Sequence, residues 1–579
     1  MLLGLYITLV VVSCLASPAG YYDEAIPLVQ GRMVSDGHTP HVDFWSFYPP
    51  LNYYLNAAAF FLFGRTILAQ RLLQAGFYVL VLVGANRFLR SRFPRARLVV
   101  ECATFLLAVA IGPKFLLPSF IGFSFSLFAL FTYFSAYGAR GTRLGQKVAL
   151  AGALTGLTFV SRFNFGAYTA ATIFAHLLIV WLLRSDDGTS GQFRARHQWQ
   201  TVATFFLSML ISWAGLYVLF CGPHLDLAVK QSIIFPQQEM TGLRFVPLQF
   251  TSGLAFAVMF PCTWFCFRLI AGRDAIAKKT VIPLLLAIFV LVIAWFRGGN
   301  PSVAGDVVLA ELAFVLLLHI FVCRLKRVEF SLVLFFACNL HYYLTRADDW
   351  HWPWLLQIAV LLIPYLFSSP GEGKQQLNGT RVANGSVLAL FVFFVAIIWC
   401  VPGFRPSQLR NGVKLIVSGG LSQRISDAQR VLEGTSAPPA WMPIYSDLDE
   451  LKALRFLRIH TSSKDPVFIG VDNHAEAYAD DVRGYWLLDR PIGANYYIFD
   501  TDLTIQTQVQ QDMIAGLEKN DVRWVILEHD PPSDDSFRQR KYPGSKLLDP
   551  FLAANFSEVA RFGRFGVLTK TAETKQVDK

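Results

Sequence analysis

Val387-Leu-Ala-Leu-Phe-Val-Phe-Phe-Val-Ala-Ile-Ile-Trp-Cys400-Val401-Pro402-Gly403-Phe404-Arg405-Pro406 is where the character of this chain turns over. Before it the sequence is a succession of uncharged apolar runs, and after it charges of both signs become frequent. Up to residue 402 there are 29 Lys and Arg against 16 Asp and Glu, and from 403 onward 22 against 24, so +13 and −2 make the overall +11. Of the 579 residues 54% are apolar, 51 are Phe and only 16% are charged. A soluble globular chain carries about 25% charge. The deficit is what lipid-facing surface requires, and an ordinary soluble protein is excluded. The basic surplus sits among the apolar runs, so it is no argument for nucleic acid.

A hydrocarbon core about 30 Å thick takes roughly 20 apolar residues per helix. Working outward from 387–402, spans are expected near 1–18, 69–90, 97–111, 118–138, 147–161, 164–183, 201–221, 248–270, 279–296, 307–323, 329–345 and 353–368, thirteen in all. The connections alternate in charge. Loops 87–97, 138–147, 184–199, 268–279, 324–329 and 369–386 hold 20 basic and 5 acidic residues, and the opposite set holds 8 and 9. Basic loops stay cytoplasmic, which puts the N-terminus inside and the tail outside. Met1–Ala16 lacks the positive n-region of a signal peptide, and either reading of it leaves the rest on the same side. The expected fold is a polytopic α-helical membrane protein of about 13 transmembrane helices with a C-terminal extracytoplasmic α/β domain. Its parts are a transmembrane domain over 1–402, a first extracytoplasmic loop over 19–65, and the α/β domain over 403–579.

In the tail a polar helix (447–461) precedes a β-branched run (466–471), and a second helix (504–520) precedes another (522–528). Helix then short buried strand, twice, predicts a small α/β unit. It has no dinucleotide fingerprint, P-loop, His-Glu-x-x-His or Gly-x-Ser-x-Gly. All eight cysteines lie in or beside apolar runs, so neither a disulfide framework nor a thiolate zinc site is indicated.

The first loop predicts two helices lying in the membrane interface, one over 23–35, broken by Gly37 and Pro40, and one opening at the prolines of 49–64. Asp23 and Glu24 stand at the start of the first. Their structural reading is helix capping, worth ~1 kcal/mol. Their functional reading is a general base, which needs a fixed carboxylate facing a cavity.

His41-Val-Asp43-Phe-Trp-Ser-Phe-Tyr48-Pro49-Pro50-Leu51-Asn-Tyr53-Tyr54-Leu55, ending in Phe61-Leu-Phe-Gly64, resembles the first extracytoplasmic loop of the type C (GT-C) glycosyltransferases. These are integral membrane enzymes using polyprenyl-phosphate sugars, among them the protein O-mannosyltransferases and the lipid A aminoarabinose transferases. The resemblance covers residues 20–64, and the thirteen-span layout with an external α/β domain is similar to the aminoarabinose branch. It implies that Asp23, or its neighbour Glu24, is the catalytic base, and that Asp43, Tyr48 and Tyr53 bind substrate. Tyr48 stands where that branch has a Lys before the proline pair.

Leu344-Thr-Arg346-Ala-Asp348-Asp349-Trp-His351 reads on composition as an interfacial belt with a snorkelling Arg. Its Arg-x-Asp-x-x-His pattern is similar to one in bacterial members of the superfamily. That similarity implies a phosphate contact for Arg346 and sugar or orienting contacts for Asp348 and His351. Gly156-Leu-Thr-Phe-Val-Ser-Arg162 looks like the superfamily's glycine-leucine helix ending in a cation, which ranks Arg162 above Lys114 as a further phosphate ligand; both also suit headgroup contacts. Glu311, one turn into an apolar run, faces either the cavity or a neighbour.

The reading that follows is an inverting glycosyltransferase in a bacterial inner membrane, transferring a sugar from a polyprenyl-phosphate donor to an acceptor hydroxyl on the outer face. Its partners would be the lipid-linked sugar, a glycan, lipid or protein acceptor, and membrane lipids, with no nucleic acid. No cofactor is expected and no metal site is assigned, a divalent ion at Asp43 being left open. A transporter or flippase of lipid-linked sugars is the alternative, and it predicts internal repeats and midplane charges, neither of which is prominent.

Overall fold

The computed structural model describes residues 2–16, 23–94, 97–111, 118–136, 142–182, 195–235, 331–339, seven residues between 354 and 362, 448–475, 482–499, 503–529 and 544–571. The first seven expected spans coincide with helices: α1 (Leu2–Ala16), α4 (Ile67–Arg92), α5 (Arg97–Ile111), α6 (Pro118–Ala136), α7 (Thr142–Ser161), α8 (Phe163–Leu182) and α9 (Ala195–Cys221). After a 3₁₀ turn α9 runs on through α10 (Leu225–Val229) and a π-helical turn, Lys230–Ile234. Among the described residues three helices are long and apolar enough to cross a membrane, Ile67–Arg92, Ser119–Ala136 and Trp199–Ile234. Expected spans 248–270, 279–296, 307–323 and 387–402 lie outside the described residues. Those at 329–345 and 353–368 are described only in part, as helix.

Local chemistry sets these helices. Thr66 caps α4, its hydroxyl accepting from the Ala69 N–H, and Arg90 and Arg92 sit in the last turn, where cations suit the helix dipole. On α7, Gly152 and Gly156 lie against the Phe205 and Met209 carbonyls of α9, where a Cβ would collide. Small residues one turn apart let two helix backbones approach, the usual basis of helix packing in lipid. Aromatic rings fill the core: Tyr78 of α4, Phe120 and Phe123 of α6, Phe165 of α8 and Trp354 are all buried.

Between α1 and α4 lie α2 (Ala25–Ser35) and α3 (Leu51–Phe63), close to the expected positions. The C-terminal unit has a four-stranded sheet of order β1-β2-β4-β3, with β1 (Val467–Val471), β2 (Trp524–Glu528), β3 (Phe556–Phe562) and β4 (Phe565–Lys570). β1 and β2 are parallel, and the remaining pairs are antiparallel. Around the sheet are α11 (Leu448–His460), α12 (Arg483–Leu488), α13 (Thr507–Lys519) and α14 (Leu548–Asn555). All five residues of β1 are buried, as in a strand covered on both faces.

One expectation needs correction. α2 does not lie in an interface with one face free: Ala25 to Arg32 are all buried. Leu28 packs with Ala59, Phe60 and Ala69, while Ala25, Ile26 and Val29 share a core with Leu454, Tyr485 and Val525 of the C-terminal unit. The helix is covered on both sides because a segment more than 400 residues away folds over it.

Candidate active site

α2 begins at Ala25, two residues after the expected start at Asp23. Glu24 takes the N-cap position with no capping side-chain hydrogen bond, so capping is not what its carboxylate does. Arg71, near the start of α4, donates from Nε to Glu24 Oε1 at 2.9 Å and from Nη2 to Oε2 at 3.2 Å. Side-chain exposures of 2% and 3% make this a buried, two-pronged ion pair. Gln70 Nε2 donates to the Glu24 carbonyl at 3.1 Å. Glu24 is therefore an anchor, and the partly buried Asp23 is delivered immediately before it.

The segment after α2 is also fastened from a distance. His41 adopts a left-handed backbone with φ 69°. Its Nδ1 lies 3.1 Å from Gln231 Oε1, which also accepts from the Ser46 N–H at 3.1 Å, and Gln231 Nε2 donates to the His41 carbonyl at 3.1 Å. Gln231 belongs to the π-helical turn beyond α9. Burial pushes the His41 imidazole down to about 4, a neutral ring at physiological pH.

Tyr48 and Arg162, residues the sequence reading assigned separately, are together. The Arg162 guanidinium carbon lies 4.5 Å from the Tyr48 ring centroid, a cation–π contact. Arg162 links α7 to α8, its N–H donating to the Thr158 carbonyl at 2.7 Å. Gly122 of α6 makes room: a Cβ there would stand 2.7 Å from Arg162 Cβ. Asn52 Nδ2 of α3 donates to the Ser161 carbonyl at 3.1 Å, tying α3 to the end of α7. Tyr53 is fully buried and its hydroxyl bonds Ser46 Oγ. Burial drives the Tyr53 phenol well above its ordinary value, with nearby Arg162 pulling the other way.

Asp43 is not brought into this group. Its Oδ2 accepts from the Thr39 N–H at 2.6 Å, with His38 Nδ1 at 3.9 Å, so the carboxylate closes an exposed turn. Lys114, Glu311, Arg346, Asp348 and His351 lie outside the described residues. Among the described residues no group of three or more His, Cys, Asp or Glu could hold a metal ion.

No protein-family model matches the sequence, and no curated protein does. Solved structures do. ArnT from Cupriavidus metallidurans bound to undecaprenyl phosphate is similar with a TM-score of 0.50 at 14% identity, over 99% of this chain and 98% of that one. This chain shares the type C glycosyltransferase fold. The archaeal oligosaccharyltransferase AglB from Archaeoglobus fulgidus, in complex with an inhibitory peptide and a dolichol-phosphate, matches at 0.48 and 12% identity over 99% of this chain and 74% of that one. The arabinofuranosyltransferase AftD from Mycobacteria matches at 0.41 and 13% over 98% and 39%.

Within this type C fold the sequence reading missed Arg71 and Gln231. Arg71 had a signal, a cation inside an apolar run, which is costly unless partnered. Gln231 had none, since a glutamine beyond a helix end carries no pattern.

Proposed function

We propose that the protein is an integral membrane glycosyltransferase that transfers a sugar from a polyprenyl-phosphate carrier to an acceptor hydroxyl at the outer face of a bacterial inner membrane, with inversion. On this reading residues 1–402 are the catalytic membrane domain and 403–579 an extracytoplasmic domain. The observation that carries it is the placement of the acidic pair at the start of the buried first-loop helix α2, with Glu24 held by Arg71 and Asp23 immediately before it. ArnT, which is similar over 99% of this chain, was solved with undecaprenyl phosphate bound.

Asp23 takes the proton of the acceptor hydroxyl as its oxygen attacks the anomeric carbon from the face opposite the phosphate. The bond from the anomeric carbon to the phosphate oxygen breaks, and the polyprenyl phosphate leaves with the bonding pair. Arg162 stabilises the charge growing on that phosphate, together with Arg346 and Lys114, and such stabilisation is usually the largest catalytic contribution. A cation–π contact with Tyr48 places the Arg162 guanidinium against the first loop, which supports Arg162 in this role. Tyr48 thereby stands beside the phosphate site through Arg162, where the aminoarabinose branch places a Lys. Glu311, Asp348 and His351 contact the sugars, the buried Tyr53 braces the loop through Ser46 instead of meeting substrate, and Asp43 is left to its turn.

The test is Asp23→Asn, purified in lipid and assayed with undecaprenyl-phosphate-linked pentoses and hexoses. Transfer should fall by roughly two to four orders of magnitude, the usual loss when a general base is removed, with undecaprenyl phosphate binding retained. Transfer at the native rate would overturn the base assignment.

A further inference from the structure

Helix α2 carries Asp23 just ahead of its first turn and Arg32 in its last. Its two ends are fastened to different parts of the molecule. At the first end Glu24 is held by Arg71 of α4. At the other, Arg32 reaches into the C-terminal unit: Nη1 donates to Asp489 Oδ1 at 2.9 Å and to the Tyr485 carbonyl at 3.2 Å, and Nη2 donates to the Arg490 carbonyl at 3.4 Å. Tyr485 belongs to α12, and Asp489 is its C-cap, in a left-handed conformation. A guanidinium from the first loop thus closes the carbonyl end of a helix in the C-terminal unit, where unsatisfied acceptors and the negative end of the dipole favour a cation. Arg32 is 8% exposed, whereas Asp489 is 72% exposed. Burial pulls the Arg32 guanidinium below its ordinary value, and Asp489 opposes the shift.

The rest of the first loop follows the same path. The Trp45 N–H donates to the Asn495 carbonyl at 3.2 Å, and the Trp45 ring packs on Tyr496. Phe60 of α3 packs on Trp486. Gln30 Nε2 donates to the Trp45 carbonyl at 3.3 Å, joining α2 to the strip that the C-terminal unit holds.

We infer that the C-terminal unit is a positioning element for the reaction: through Arg32 it fixes the far end of α2, and so the place of Asp23, a role that rests on Asp23 being the base. Arg32 is the positioning residue. Asp489 and the Tyr485 and Arg490 carbonyls are its seat.

The experiment uses the full chain in lipid nanodiscs, with Arg32→Ala, Asp489→Ala and Asp23→Asn singly and Arg32→Ala combined with Asp23→Asn. Hydrogen exchange over residues 25–35 reads the clamp directly, and Arg32→Ala should speed it by about tenfold or more while α4 and the sheet are unchanged. Transfer from undecaprenyl-phosphate-linked sugars should lose about tenfold to a hundredfold in kcat at unchanged donor KM, the loss expected when a reacting group is misplaced. In the Asp23→Asn background Arg32→Ala should cost nothing further, because it acts through a group already removed. Arg32→Lys should recover part of the lost kcat. Asp489→Ala leaves the carbonyls in place and should show the same pattern more weakly, and it replaces an exposed side chain if Arg32→Ala fails to fold.

Unchanged exchange over 25–35 in either variant overturns the clamp. Faster exchange with losses that multiply in the double variant overturns positioning through Asp23. If Asp23→Asn is itself fully active, the base assignment fails, while the exchange measurement still decides whether the C-terminal unit holds α2.

Discussion

The first loop and the outer edge of the C-terminal sheet use the same side chains to opposite ends. In the loop three charged or polar anchors are buried and meet partners far away in sequence: Glu24 with Arg71, Arg32 with Asp489, His41 with Gln231. At the sheet edge Asp472, His529, Glu558 and Arg561 form a chain of exposed contacts. His529 Nδ1 lies 3.3 Å from Asp472, Arg561 Nη2 lies 3.1 Å from His529 Nε2, and Arg561 holds Glu558 with two donors. Groups at the edge can fall back on water when a partner is lost. Those in the loop cannot, so they fix where the backbone goes. The loop that carries the proposed chemistry is accordingly the part where a single polar change should do most damage.

The largest effect on stability should come from breaking the buried pair one-sidedly. Arg71→Met leaves the Glu24 carboxylate buried without its two-pronged partner, and removing one member of such a pair costs about 3–5 kcal/mol. Adding Glu24→Gln should return much of that, since a neutral amide needs no counter-charge. Chemical unfolding of the three variants in one detergent would check the order. If Arg71→Met unfolds like the native protein, Glu24 has found another partner and the anchor is misassigned.

His41 sharpens the comparison through pH. Its folded-state value of about 4 lies below the ordinary 6.5, so the unfolded chain takes up its proton first. Stability is then whole above about pH 6.5, declines as the pH falls, and levels off below about 4, with about 2 kcal/mol lost by pH 5. His41→Asn suits the left-handed backbone, removes the titrating ring and should flatten this slope. Unfolding midpoints at pH 7 and pH 5 measure it, and an equal slope in both proteins would show that another group titrates.

How much of this was legible in the sequence follows the range of the interactions. The helices α4 to α9 were readable because each is fixed by its own apolar length, and α11, β1, α13 and β2 because each has its own period. The β3–β4 hairpin was missed although its two-residue turn, Gly563-Arg564, has a glycine at φ 56°, a local signal that could have been read. The double-sided burial of α2 was not readable, because its cover begins at residue 448 and sequence spacing says nothing about which surfaces meet. At the site, Asp23, Tyr48 and Arg162 came from motif resemblance. The contact between Tyr48 and Arg162, and the pairing of Glu24 with Arg71, are facts of packing.

The smallest effect should come from the sheet edge. Hydrogen bonds from Arg561 hold the Glu558 carboxyl below its ordinary value, with burial opposing. A depressed carboxyl contributes stability above its unfolded value, near 4.5, and loses it as the pH falls through the lowered folded value. This window lies below most of that for His41, so the two groups can be separated by pH alone. Glu558 is partly exposed, so solvent screens the pair, and exposed pairs are worth about 0–1 kcal/mol. Glu558→Gln should therefore shift the unfolding midpoint at pH 7 only slightly, and should do still less in about 1 M salt, where the screening length is about 3 Å. The Arg71→Met deficit should survive the same salt, because water and ions do not reach a pair that is 2–3% exposed. A Glu558→Gln loss as large and as salt-resistant as that of Arg71→Met would mean the edge is covered in the working protein, and the contrast between the two regions would fail there.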